Sequence, residues 1–474
     1  MVNKQKIHLY IMLEEDISYY FLKESKCQNT FNPRIYNCKS SKDFDISIPE
    51  EIEILLSDQY LTNPKKYEIC IDAILEYFIE DRQFPLPLKF IKNVIEILDN
   101  SNLDRKFIEK TLFVLDISLD SFTSNLKLSS TEINVIYKYF PNQYAINILS
   151  HAIRLSSKCA KPILELFPPK KNFKGFNSSV ITLISHNFTQ NLLPILNLVY
   201  VLSDKFEIAY NFTKIYQTLI PIIYRLPPPE QVISFKILIN MCKQDQTKIS
   251  ILYNSDGVEK LYSNIKGDNE LLEIAFQFLH FISKENEKSL VIIKRLRIHS
   301  AVKYAIENLK ENAIKIISAT FYNILQDNDG AVDYFLKKKY FYIFLSLQKK
   351  VSLSTWEEVM TTLCIVIYYC NSMQQIEYIL QNSNIIQCIS ETSESVDFND
   401  DDNNKTQLYI ASSIKFALQK LLYFAKFEFE RNNRKIFNQD IRNQLMQSAV
   451  TESSYDIHPI TDFIQSIDCL YNSC

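Results

Sequence analysis

Apolar residues recur at spacings of three and four along nearly every segment from about residue 48 to 425, and clusters of Asn, Asp, Ser, Lys or Pro interrupt them every 10 to 18 residues. One face of an α-helix has this 3.6-residue period, so the pattern predicts helix after helix. Strands of period two with hairpin turns are absent from the pattern. The Asp256-Gly257 and Asp329-Gly330 pairs, which could turn a hairpin, sit between helical patterns. An all-α chain is expected.

The helical pattern itself repeats. A small residue, an apolar residue four positions on and another seven on recur as Pro194/Leu198/Val201, Ser234/Leu238/Met241, Ala275/Leu279/Ile282, Ser318/Tyr322/Leu325 and Thr362/Val366/Tyr369. The steps between small residues are 40, 41, 43 and 44. Leu252, Ile293, Leu336 and Leu380 each begin an apolar pair 18 residues after the small residue of their repeat. Insertions therefore accumulate between modules and not within this stretch. Such a period belongs to armadillo and HEAT repeats, whose modules bury a core only by stacking on their neighbours. Each small residue is expected to mark a helix crossing, because helices approach to roughly 8 Å only where a side chain is short.

Weaker echoes at Cys70/Ile74/Tyr77, Thr111/Leu115, Leu149/Ile153 and Ala417/Leu421/Phe424 extend the array to about nine repeats. The expected partition is a capping segment over 1–47, a solenoid over 48–427 and a partly helical tail over 428–474. The acidic, apolar-poor stretch 390–406 reads as a surface loop inserted in the last repeat.

Asp256-Gly257-Val258-Glu259-Lys260-Leu261, followed by Ala275-x-x-x-Leu279-x-x-Ile282, resembles the armadillo repeat, most clearly over residues 230 to 390. The resemblance implies a right-handed superhelix of three-helix repeats whose third helices line a concave groove for partner segments. It places a glycine between first and second helices, which Gly257 matches, while the equivalent positions here are Ile298, Phe341 and Ile385. The armadillo and HEAT readings both stay open on that ground. It also implies that the residue six after each small position faces the groove, giving Tyr200, Asn240, Phe281, Ile324 and Tyr368 as the candidate partner-binding set. The cargo-binding importin-α branch carries asparagines there and tryptophans four residues earlier. Only Asn240 matches, Lys236 stands at its tryptophan position, and the single tryptophan, Trp356, lies before Thr362. Recognition of nuclear signals does not carry over.

Composition narrows function mainly by exclusion. The chain of 474 residues has four glycines, where average usage of ~7% gives roughly 33. No two of Gly175, Gly257, Gly267 and Gly330 lie close enough for a phosphate-cradling loop, a dinucleotide fingerprint or a nucleophile elbow. The six histidines form no zinc-hydrolase spacing. Asp397, Asn399 and Asp401 fit the start of a calcium loop, but Asp402 and Leu408 stand where glycine and a bidentate glutamate are required. No cofactor, metal or catalytic set is expected.

The formal charge of −3 gives no electrostatic case for nucleic acid, although a helical-repeat RNA binder is the alternative from another class. A HEAT-like regulatory or trafficking subunit of a larger complex is a second alternative. Two basic clusters, Lys294/Arg295/Arg297/His299/Lys303 and Lys337/Lys338/Lys339, recur about one repeat apart, a spacing suited to one patch that attracts an acidic or phosphorylated segment. The N-terminus meets acidic residues before any long apolar run, so no secretory leader is expected. The ten scattered cysteines then read as reduced core residues of a soluble cytoplasmic or nuclear protein. No run reaches the ~20 apolar residues of a membrane span. The expected function is non-enzymatic binding of other proteins along the groove.

Overall fold

The computed structural model describes residues 68–72, 74–75, 88–99, 103–120, 127–165, 192–205, 213–244, 256–265, 267–285, 289–327, 330–393, 405–432 and 459–472. The expected capping segment 1–47, Leu252 and Tyr77 lie outside them. Among the described residues every regular element is helical. Chain order opens with α1 (Leu88–Leu98), α2 (Arg105–Asp120), α3 (Ser130–Tyr137), α4 (Gln143–Leu155) and α5 (Ala160–Glu165). It continues through α6 (Leu192–Lys205), α7 (Thr213–Leu219), α8 (Pro228–Gln244), α9 (Asp256–Asn264) and α10 (Asn269–Glu285). Three modules of three helices follow: α11 (Ser289–Leu296), α12 (His299–Glu307) and α13 (Glu311–Asp327); α14 (Ala331–Lys337), α15 (Tyr340–Leu345) and α16 (Leu353–Tyr368); α17 (Met373–Asn382), α18 (Ile385–Ser393) and α19 (Lys405–Asn432). A last helix, α20 (Pro459–Asn472), packs on α19. Three helices per module is the arrangement that the armadillo resemblance implies.

The long helices α2, α4, α6, α8, α10, α13, α16 and α19 pack each on the next in one unbroken layer, with the shorter helices outside. The repeating frame lies on this layer. Leu198, Val201, Ser234, Leu238, Met241, Ala275, Leu279, Ile282, Ser318, Tyr322, Leu325, Thr362 and Val366 are buried, and Pro194 and Tyr369 are half-buried. In the second frame Ile293 and Leu336 are buried and Leu380 is half-buried. The outer echoes Cys70, Ile74, Thr111, Leu115, Leu149, Ile153, Ala417, Leu421 and Phe424 are buried as well. All of these but Thr111 share one continuous core, in which a leucine truncation costs about 2 to 5 kcal/mol.

Local signals start the helices where the pattern does. Ser372 caps α17 by accepting from the Gln375 amide at 3.3 Å, and Gln375 Oε1 accepts from the Ser372 amide at 3.2 Å, a reciprocal capping box. Pro228 occupies the first position of α8, where the missing amide proton costs no hydrogen bond.

The turns depart from the expected glycine pattern. Between α11 and α12 the left-handed residue is Arg297, with φ 50°, and between α14 and α15 it is Lys339, with φ 60°. The left-handed turn persists without glycine, one or two positions before Ile298 and Phe341. Before Ile385 the link is extended at Ser383, with φ −147°. Second-to-third helix turns repeat the device at Gly267, Leu309 and Lys349, with φ 85°, 48° and 61°. Gly257 has a different task. It sits in the first turn of α9, where a Cβ would come within 2.1 Å of the Ile220 carbonyl oxygen, so hydrogen is the only substituent that lets these repeats touch.

Two boundaries move. Helix α18 runs through Ser393, with Ser390, Thr392 and Ser393 buried, so the inserted loop does not begin at 390. The hydroxyls of Thr392 and Ser393 donate to the carbonyls of Cys388 and Ser390 at 2.7 Å, which satisfies them within the helix despite their polarity. Residues 394–404 lie outside the described residues. Helix α19 begins at Lys405 and passes residue 427 to reach Asn432.

Candidate functional site

The long-helix layer carries polar side chains that cross from one repeat to the next. Asp116 on α2 accepts from Asn147 Nδ2 at 2.8 Å and lies 3.2 Å from His151 Nε2, both on α4. Asn240 Nδ2 on α8 donates to Ser203 Oγ on α6 at 3.2 Å. Lys236 pairs with Glu270 at 3.1 Å, Asn312 Nδ2 donates to Glu273 at 3.3 Å, and Lys315 donates to Ser354 Oγ at 3.0 Å. Asn323 Nδ2 donates to Ser283 Oγ at 3.3 Å, repeating the Asn240–Ser203 geometry two long helices later.

This row shows where the five candidates stand. Tyr200, Asn240, Phe281 and Tyr368 are half-buried on successive exposed stripes of the layer. Tyr200 and Phe281 lean against the core, and burial followed by the nearby Asp204 carboxylate pushes the Tyr200 phenol above its ordinary range. Ile324 is 1% exposed and belongs to the core, so it leaves the accessible surface. Its neighbour Asn323 faces outward instead. The polar row is displaced by one residue on α13, because the Ser318 frame turns the apolar side chain inward there. Asn323, Glu273 and Lys315 escaped sequence reasoning; the only signal for them was a polar residue between buried ones on the same helix.

Hydrogen bonding also ties the start of one long helix to the next. Glu311 at the head of α13 accepts from Ser352 Oγ and, at 2.7 Å, from Thr355 Oγ1 at the head of α16. These two donors hold its carboxyl below the usual carboxylate range.

The row ends in an aromatic cleft of about 590 Å³ between the end of α16, the start of α17 and the face of α19. Tyr368, Met373, Tyr423, Phe424 and Phe427 supply apolar walls, and Asn371, Gln419 and Lys420 supply polar atoms. Tyr368 packs on Phe416 with ring centroids 5.2 Å apart, which brings α16 and α19 together at its base. Tyr423 is 61% exposed, a large ring at the mouth. Lys420 Nζ lies 5.5 Å from the Phe424 ring centroid, so its charge is held at the wall. A cleft of this size and mixed lining suits one or two inserted side chains or a small ligand.

The other chemical candidates take structural places. Cys364, Cys370 and Cys388 are buried with free thiols, and burial raises all three, Cys370 and Cys388 to about 12. Protonated thiols of this kind are poor nucleophiles. Cys469 is exposed. Among the described residues no group of three or more His, Cys, Asp or Glu side chains could hold a metal ion, and no helix is long and apolar enough to cross a membrane.

No protein-family model and no curated protein matches the sequence. Solved structures match the fold. An engineered protein aligns with a TM-score of 0.59 at 11% identity, over 89% of this chain and 99% of its own. A structure described as showing a conserved phosphorylation switch that controls the interaction between cadherin and beta-catenin aligns at 0.52 and 11% identity, covering 89% of this chain and 94% of its own. SYS-1 aligns at 0.51 and 12% identity, covering 91% and 90%. Identities this low speak for architecture alone. The described residues have an all-α, armadillo-like helical-repeat fold.

Proposed function

We propose that this chain is a non-enzymatic scaffold that holds a segment of another protein along its long-helix layer, with an apolar side chain of that segment seated in the cleft at Tyr368 and Tyr423. The observation that carries the reading is the cleft, where a 61% exposed tyrosine stands over an aromatic floor at the end of the polar row. Aromatic rings that are apolar on the face and polar at the tip dominate many interfaces. The neighbour structure that concerns cadherin and beta-catenin shares the fold, which favours a protein partner over a small molecule. The half-buried Tyr200, Asn240 and Phe281 extend the same track towards the N-terminus. Buried, protonated thiols fit a reducing compartment, and we infer a cytoplasmic or nuclear site of action.

The test places a photoreactive phenylalanine analogue at position 419 or 423 of the full chain in its own cells, with position 263 on α9 as an exposed control. Proteins crosslinked at 419 and 423 but not at 263 are the expected partners. Those captured from position 419 should vanish with Tyr423→Ser, whose circular dichroism and melting match the unsubstituted chain. Retention of every one by that folded variant overturns the reading.

A further inference from the structure

We infer that the outer edge made by the α11–α12 and α14–α15 turns is a second docking surface, separate from the cleft, and that it takes an acidic peptide segment. The two basic clusters lie one repeat apart in sequence, and the fold packs α12 beside α15 so that the first cluster touches tyrosines flanking the second. Lys294 Nζ on α11 lies 5.4 Å from the ring centroid of Tyr334 on α14, and the His299 ring on α12 lies 5.4 Å from that of Tyr340 on α15. Burial lowers the His299 pKa, and the charges of Lys338 and Lys303 lower it further, so both clusters reach the same imidazole. Each turn contains one left-handed basic residue, Arg297 with φ 50° or Lys339 with φ 60°.

Part of this charge is already used. Arg297 pairs with Glu259 at 3.0 Å and Lys303 with Glu307 at 3.5 Å. Arg295, Lys337, Lys338 and Lys339 are exposed and have no ion-pair partner among the described residues. Like charges held this close repel one another, and an incoming anion relieves that repulsion. The chain as a whole carries a formal charge of −3, so the patch is a local feature and not part of a broad basic field of the kind nucleic acid requires. Stacked helices lie about 8 to 10 Å apart, and three residues of extended chain span about 10 Å. A partner with an acidic group at every third position therefore meets both turns.

Fluorescence anisotropy with labelled peptides tests this on the full chain. The probes are a Glu-Ser-Ser repeat, the same repeat with phosphoserine in place of Glu, a neutral Gln-Ser-Ser repeat, and a single-stranded RNA of equal charge. Either anionic peptide should bind and the neutral one should not, with affinity falling as ionic strength rises from about 0.05 to about 0.3 M. Arg295→Glu/Lys337→Glu/Lys338→Glu should weaken binding about tenfold or more, whereas Lys89→Glu/Lys92→Glu/Lys106→Glu on α1 and α2 should change it less than about twofold. If the first variant does not fold, Lys337→Gln/Lys338→Gln should still weaken binding about threefold. Tyr423→Ser should leave peptide binding intact, which separates this surface from the cleft. Unchanged binding in the folded charge-reversal variant, tighter binding of RNA than of both acidic peptides, or no peptide binding by the unsubstituted chain overturns the inference.

Discussion

Thr362 Oγ1 on α16 donates a hydrogen bond of 3.1 Å to the backbone carbonyl oxygen of Ser318 on α13, joining the small positions of two successive repeats across 44 residues of sequence. Both residues are buried, at 1% and 0% exposure. A side chain reaches a neighbouring helix backbone only where the axes approach closely, so the recurring small residue is the crossing point of the stack.

Enlarging that crossing should separate the helices. Thr362→Leu is expected to cost about 1 to 3 kcal/mol through overpacking. Ser318→Ala should lie within about 0.5 kcal/mol of the unsubstituted chain, because Ser318 Oγ is buried without a hydrogen-bond partner and its loss strands nothing. Urea unfolding of the two variants checks the contrast, and equal effects would remove the crossing from the account.

Gly257→Ala should be among the costliest methyl additions in the molecule. The new Cβ would meet the backbone oxygen of Ile220 at 2.1 Å, and backbone cannot swing aside as a flexible side chain does. About 1 to 3 kcal/mol of destabilisation is expected. Gly267→Ala, with nothing within 4 Å of its Cβ but a φ of 85°, isolates the cost of left-handed backbone for comparison.

The left-handed turns offer the opposite change. Leu309 holds φ 48° and is 43% exposed, so its side chain contributes little burial to offset the backbone strain. Leu309→Gly should raise the melting temperature, with a gain of up to about 1 kcal/mol. A lower melting temperature would show that the leucine contributes more by packing than its turn costs.

His280 gives the fold a pH dependence of definite sign. Burial, followed by the nearby Lys284 charge, lowers its pKa to about 4, while an unfolded histidine titrates near 6.5. The unfolded chain thus takes up the proton first as pH falls. The stability due to keeping this ring neutral is full above about 6.5 and is lost progressively towards about 4. In His280→Gln, the drop in unfolding free energy between pH 7 and pH 4.5 should be smaller than in the unsubstituted chain. Carboxylates titrate in both proteins, so the difference between them reports on His280, and identical drops would refute this assignment.

Leu279→Ala, at a fully buried frame position on α10, should cost about 2 to 5 kcal/mol and loosen α8 and α13 with it. Faster amide exchange confined to α10 alone would contradict coupling between neighbouring repeats.

The amino-acid sequence by itself determined the helices, their repeat length and the inward face. Those properties follow from periodicity, which apolar residues such as Leu238, Leu279 and Val366 must satisfy wherever the helices finally sit. Tertiary structure alone decided what lies between the buried positions. Asn323 turns outward in place of Ile324 because a helix rotates to fit its neighbours, and one residue of rotation moves a side chain by about 100°. Arg297 and Lys339 take the left-handed turns expected of glycine because packing on both sides holds that backbone against its strain. The cleft joins Tyr368 to Tyr423, residues 55 positions apart, through the approach of α16 to α19. The basic edge joins Lys303 to Lys338 around His299 in the same way. Distances of that kind depend on how far each repeat rotates against the next, and no local pattern in the chain encodes that angle.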